Sequence, residues 1–198
     1  MSTMESLDDL MQDELKDLYD AEKQLTKALP KLAKKASNEE LRGALQQHLQ
    51  ETEGHVERLE QIFEQLGMPV RGKKCEGMKH LIDEGNTMIG DAEEEGTRDA
   101  VMIAAAQKAE HYEIASYGTL RTWANVLGKH DIAALLEETL EEEKEADRKL
   151  TAIAESFVNQ EAAEEGEPAT STRGRRGVGA RQAAADRGAR PATRGRSR

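Results

Sequence analysis

Residues 98–120 read RDAVMIAAAQKAEHYEIASYGTL. The run holds good helix formers and no proline, and it extends without a break to Gly128, so it predicts a long helix over 97–127. Its waist carries Glu110, His111, Tyr112 and Glu113. The apolar stripe along this helix is read as Ala105, Ala109, Tyr112, Ser116, Leu120, Trp123 and Leu127. With a turn of roughly 100° per residue, Glu113 falls within about 40° of the stripe's centre. Glu110 sits at its edge and His111 points away. Glu113 is therefore the acid expected inside, with Tyr112 as its inward neighbour.

The same spacing of threes and fours recurs on both sides of this stretch. Leu7, Leu10, Met11, Leu15, Leu18, Leu25, Leu29 and Leu32 mark a first helix over 7–36, in which Pro30 predicts a kink or a broken turn. Ser37-Asn38-Glu39-Glu40 reads as a break and an N-cap. A second helix follows over 39–66 and stops at Gly67-Met68-Pro69. A short helix occupies 75–90, and a last long one runs over 131–159. Two helical hairpins joined by a connection of about 30 residues describe an all-α, ferritin-like four-helix bundle, with a short fifth helix in the long crossover. The halves also repeat. A shift of 91 residues places Leu41, Leu45, Leu49, Leu59 and Ile62 on Ile132, Leu136, Leu140, Leu150 and Ile153. It also places Glu22 on Glu113 and Glu51 on Glu142.

Composition agrees with helices. Aromatic residues make up 3% of the 198, too few for a sandwich or barrel core. The single Cys75 excludes an internal disulfide and a cysteine-based zinc or iron–sulfur site. The N-terminus is acidic and lacks a secretion-signal pattern, and the longest apolar run is VMIAAA (101–106). The expected location is the cytoplasm, with no membrane partner. Charge divides the chain: residues 166–198 hold nine Arg and two acids, a net of +7, against -18 for residues 1–165. The expected domains are a bundle over 1–160 and a disordered, basic Arg/Gly-rich tail over 161–198. No aromatic is interleaved in that tail, so it suits weak, salt-sensitive nucleic-acid contact rather than sequence reading.

The inward test applied to the other helices selects Glu22 among Leu15, Leu18, Tyr19, Leu25 and Leu29, and Glu143 between Leu136, Leu140 and Leu150, with Asp147 one turn on. On the second helix Thr52 takes the matching slot, while His48, Glu51 and His55 lie on the flank. Distance from the turns puts Glu22, positions 51–52, Glu113 and positions 142–143 at one level, so all four helices can bring a carboxylate there. Several buried carboxylates need protons, cations or metal. No Lys or Arg lies on the nearby inward stripe, and carboxylates with an imidazole suit iron or manganese held as a bridged pair. The candidate metal ligands are Glu22, Glu51, His55, Glu113, Glu143 and Asp147.

The segments DLYDAEKQLTKAL (17–29), SNEELRGALQQHLQETEGHVERLE (37–60), RDAVMIAAAQKAEHYEIASYGTL (98–120) and LLEETLEEEKEADRKL (135–150) resemble the YciF-like bacterial stress proteins of the ferritin-like superfamily. The resemblance covers roughly residues 5–160. It implies a homodimeric bundle similar to rubrerythrin, an iron-binding character and a role in stress. One departure stands out. Ferritin-like di-iron proteins carry Glu-x-x-His on the second and fourth helices. Here Gly54 follows Glu51 at three and His55 at four, and Ala146 follows Glu143 at three and Asp147 at four.

Three functions compete. The first is a di-iron or di-manganese protein that oxidises Fe(II) or reduces peroxide or oxygen. The second is a non-catalytic dimeric stress protein whose tail binds nucleic acid, with Ile103 and Ile114 as a subunit contact. Equal nucleic-acid binding with and without residues 166–198 would remove its tail. The third is a bundle whose acids are structural, more stable in mild acid and indifferent to metal.

Overall fold

The computed structural model describes residues 4–165. Six α-helices follow in order: α1 Leu7–Lys35, α2 Glu39–Gln65, α3 Glu76–Asp91, α4 Glu95–Val126, α5 His130–Ile153 and α6 Asn159–Glu165. A π-helical turn, Ala154–Val158, joins the last two. The helix read as ending at 159 thus continues to Glu165. The basic-tail reading of 161–198 lies outside the described residues from 166 onward.

Local chemistry sets the ends. The Ser6 hydroxyl accepts from the Asp9 amide at the start of α1, and the Asn38 side chain accepts from the Glu40 and Leu41 amides at the start of α2. α2 and α4 close alike. Gly67 and Gly128 take φ of 66° and 72°, and the following Met68 and Lys129 amides donate back to the Phe63 and Ala124 carbonyls. Pro30 stands inside α1 without ending it. Leu25, Leu29 and Ala33 are buried on both sides of it, so packing holds the turn from which proline removes a hydrogen bond.

α1 pairs with α2 and α4 with α5, while α1 packs on α4 and α2 on α5 across the bundle. α3, in the crossover, lies against α4 and α1. This is the four-helix bundle with a fifth helix in its crossover. Two acids fasten the end of the bundle where the α1–α2 turn meets the start of α4. Buried Asp99 of α4 accepts from the Ser37 and Asn38 amides in the α1–α2 turn. Glu165 of α6 accepts from the Gly96 and Thr97 amides, satisfying the start of α4, where Glu94 makes no side-chain cap.

α4 is buried on more sides than its sequence suggests, because α1, α3, α5 and α6 all pack on it. Ile103 is buried at 2% exposure within the core, and it offers no surface to a second subunit. The stripe is also centred elsewhere. Ala106, Ala109, Glu110, Glu113, Tyr117 and Leu120 are buried, whereas Tyr112, Trp123 and Leu127 are half-buried.

Candidate metal centre

Four helices bring polar side chains to one level of the core. α1 supplies Glu22, α2 supplies His48 and His55, α4 supplies Glu110 and Glu113, and α5 supplies Glu143. Each is buried, and Glu22, His55, Glu113 and Glu143 have no exposed surface. They form two groups, His48–Glu110–Glu113–Glu143 and Glu22–His55–Glu143, with candidate ligand atoms within 4.8 Å of one another. Glu143 belongs to both.

Each imidazole has one nitrogen turned inward and one held at the rim. His48 Nε2 lies 3.1 Å from Glu110 Oε1 and 3.7 Å from Glu143 Oε2. Its Nδ1 faces Glu51 Oε2 at 3.4 Å. His55 Nδ1 lies 3.0 Å from Glu143 Oε1 and 3.5 Å from Glu22 Oε1. Its Nε2 meets Glu142 Oε2 at 3.0 Å, and Arg58 donates to the same oxygen at 2.9 Å. Glu51 and Glu142, partners in the 91-residue repeat, thus do the same work: each fixes one histidine ring, as carboxylates do behind metal-binding imidazoles. The Tyr117 hydroxyl donates to Glu22 Oε1.

Of the six residues expected as ligands, the fold brings Glu22, His55, Glu113 and Glu143 together. Glu51 stands at the rim behind His48. Asp147 lies outside both groups, accepting from Gln107 at 3.0 Å and facing exposed His111 at 3.4 Å. In the sequence His48 and Glu110 lie on the flanks of their apolar stripes. Their signal was the spacing itself, His48–Thr52–His55 on α2 and Glu110–Glu113–Tyr117 on α4. Buried Thr52 occupies the slot that corresponds to Glu143, and its hydroxyl donates to the His48 carbonyl at 2.8 Å. Ala146 corresponds to His55. The departure from Glu-x-x-His therefore gives an asymmetric cluster, with both imidazoles on α2.

Burial without partners sets the electrostatics. Glu22 Oε2, His55 Nδ1, Glu110 Oε2 and both oxygens of Glu113 and of Glu143 are buried with no hydrogen bond of acceptable geometry. His55 Nδ1 is close to its carboxylates, but the contacts are not aligned as hydrogen bonds. Burial, reinforced by Glu22 and Glu143, holds the Glu113 carboxyl well above the usual carboxylate range. Burial likewise pushes Glu143 up to about 8, against the opposing pull of His55. Burial alone would lower both imidazoles. The carboxylates outweigh it, raising His48 well above its ordinary value through Glu110, and His55 to about 10 through Glu143 and Glu22. Without an added cation the cluster must hold protons.

The donor set fits a metal. Carboxylate oxygens and two oriented imidazoles converging from four helices suit a divalent ion such as Fe(II) or Mn(II), and Glu22 Oε2, His55 Nδ1, Glu110 Oε2 and the oxygens of Glu113 and Glu143 lack any other partner.

Residues 6–163 match the family model described as Domain of unknown function (DUF892). The chain belongs to the DUF892 family. It is 51% identical over 160 residues to Protein YciF of Escherichia coli, covering 80% of this chain and 96% of that protein. The structure of the E. coli stress protein YciF superposes with a TM-score of 0.76, over 79% of this chain and 99% of that one. YcfI of Rhodopseudomonas palustris gives 0.73 at 44% identity, over 74% and 94%. A two-domain protein of Anabaena variabilis with DJ-1/ThiJ/PfpI-like and ferritin-like domains gives 0.50 at 18% identity, over 88% of this chain and 42% of that one. That last likeness bears on the fold alone and supports the ferritin-like bundle. Among the described residues of this DUF892 chain, no helix is long and apolar enough to cross a membrane.

Proposed function

We propose that this DUF892 protein is a stress-response metalloprotein whose buried cluster holds a dinuclear iron or manganese centre and oxidises Fe(II) at the expense of peroxide or oxygen. The observation that carries the reading is the set of partnerless buried ligand atoms on Glu22, His55, Glu110, Glu113 and Glu143. So many unmatched acceptors in one apolar core cost several kcal/mol unless protons or cations meet them. Likeness to the E. coli stress protein YciF supports the physiological setting.

Glu22 and His55 would hold one ion, and His48, Glu110 and Glu113 the other, with Glu143 between. A bound Fe(II) pair supplies two electrons, enough with two protons to reduce one hydrogen peroxide to two waters. The chain's own part is to bind, orient and exclude water. Glu51 and Glu142 keep the imidazole nitrogens aimed inward, Tyr117 fixes one Glu22 oxygen, and the surrounding leucines keep the site dry.

The test is anaerobic protein loaded with two Fe(II) per chain and mixed with hydrogen peroxide. Fe(III) absorbance should rise far faster than with Fe(II) in buffer, consuming one peroxide per two iron. Oxidation no faster than in buffer would refute the redox part.

A further inference from the structure

Glu110 lines two separate openings in the bundle. The larger, of about 220 Å³, lies between α1, α3 and α4. Its walls are apolar, including Leu25, Leu29, Ile82 and Ile89, and exposed Lys27 and Lys31 stand on its rim. The smaller, of about 110 Å³, lies between α2, α4 and α5. Its inner end is His48 and Glu110, and its rim carries Glu51, Glu142 and Glu145. Ala146 lines it where the 91-residue repeat would put the counterpart of His55, so a methyl group stands in place of an imidazole. Across the mouth, Lys149 of α5 donates to the Gln47 side chain of α2 at 2.6 Å.

We propose that the α2–α5 cavity is the port by which divalent cations reach the cluster, with the Lys149–Gln47 bridge as its latch. The inference rests on the metal-centre reading and adds the route. Charge chooses between the openings. Lysines at the mouth of the larger one repel a cation; around the smaller one Arg58 and Arg148 offset Glu142 and Glu145, and Glu51, which meets only His48 and Gln47, is the carboxylate left to attract it. Glu110 then offers the first inner contact: it is 2% exposed, its Oε2 has no partner, and it forms the inner wall of this cavity. Ala146 leaves the space through which an ion passes. The Lys149 ammonium must swing away from Gln47 as the ion enters.

Stopped-flow mixing of metal-free full-length protein with Co(II), read by its visible absorption, tests this. Ala146→Leu should slow loading about 10-fold, because a leucine there fills the α2–α5 opening in an otherwise close-packed wall. Lys149→Met should speed it, and both variants should reach the wild-type final absorbance. Rising salt should slow the wild type, since rim charges act on the association rate. Ala28→Leu, which fills the apolar cavity, should load at the wild-type rate. Wild-type protein that takes up no Co(II) would overturn the metal-centre reading and the port with it. Normal wild-type loading with Ala146→Leu and Lys149→Met unchanged, or slowing only in Ala28→Leu, would overturn the port alone.

Discussion

Mn(II) or anaerobic Fe(II), added at about 1,000 times its dissociation constant, raises the Tm of the metal-free protein by about 8–16 °C. The figure follows from mass action. Ligand at that excess stabilises the folded state by about 4 kcal/mol when the unfolded chain does not bind it. A chain of this size gains about 2–4 °C per kcal/mol. Glu143→Ala should erase the gain. Glu143 is the one side chain common to both groups of candidate ligands, so its loss strips an oxygen from each ion. Affinity should fall by more than the ~10–100-fold typical of losing an outer partner. Differential scanning fluorimetry with and without metal reads both effects. An unchanged Tm in the wild type, or an equal gain in Glu143→Ala, would count against the cluster as the binding site.

The second large effect has the opposite sign in the metal-free protein. Glu113→Leu should stabilise it at pH 8 by about 1–3 kcal/mol, the cost of burying a polar group without a hydrogen-bond partner. Glu113 has no exposed surface and neither of its oxygens has a partner. Its carboxyl, like that of Glu143, binds its proton more tightly folded than unfolded. Stability from such a group is fully present below the unfolded value and is lost as pH rises through the folded one. His48 and His55 are raised as well, and their contribution is present below about 6.5 and lost above it in the same way. All four groups therefore act together. The metal-free protein should lose urea resistance steadily from pH 5 to pH 10, and Glu113→Leu should flatten that slope. The same variant should show a smaller metal-induced gain, since it takes a ligand from the His48–Glu110–Glu113–Glu143 group and leaves Glu22–His55–Glu143 intact. A variant less stable than wild type at pH 8, with the pH slope intact, would mean that Glu113 is a structural acid.

Much of the bundle was legible because its signals are local. Leucine spacing, Asn38 at a cap and Gly67 and Gly128 at helix ends mark the first four helices to within about two residues, while nothing local marks the π-helical turn at Ala154–Val158 or the continuation to Glu165. Pro30 does not end α1, because Leu25, Leu29 and Ala33 pack around it. The site was legible in part. Glu22, Glu113, Glu143 and His55 stand out as polar residues in apolar slots. His48 and Glu110 were hidden by the wrong centre for their stripes. On α4, large Tyr112, Trp123 and Leu127 draw the stripe toward themselves, but they are only half-buried, while small Ala106, Ala109 and Ala124 lie fully inside. Four elements pack on α4, so no single apolar face shows in its sequence. The repeat aligned Glu51 with Glu142 correctly, yet alignment does not tell a ligand from the carboxylate that steadies one. Only the packing of α2 against α5 puts both beside a histidine ring and outside the cluster.

The central claim is that Glu22, His48, His55, Glu110, Glu113 and Glu143 enclose two metal ions. Diffraction from crystals grown with Mn(II) or anaerobic Fe(II), collected above and below the metal's absorption edge, tests it most directly. Two anomalous peaks are expected inside the bundle, one among Glu22, His55 and Glu143 and the other among His48, Glu110, Glu113 and Glu143. An empty cluster, with metal only at exposed surface acids, would contradict it.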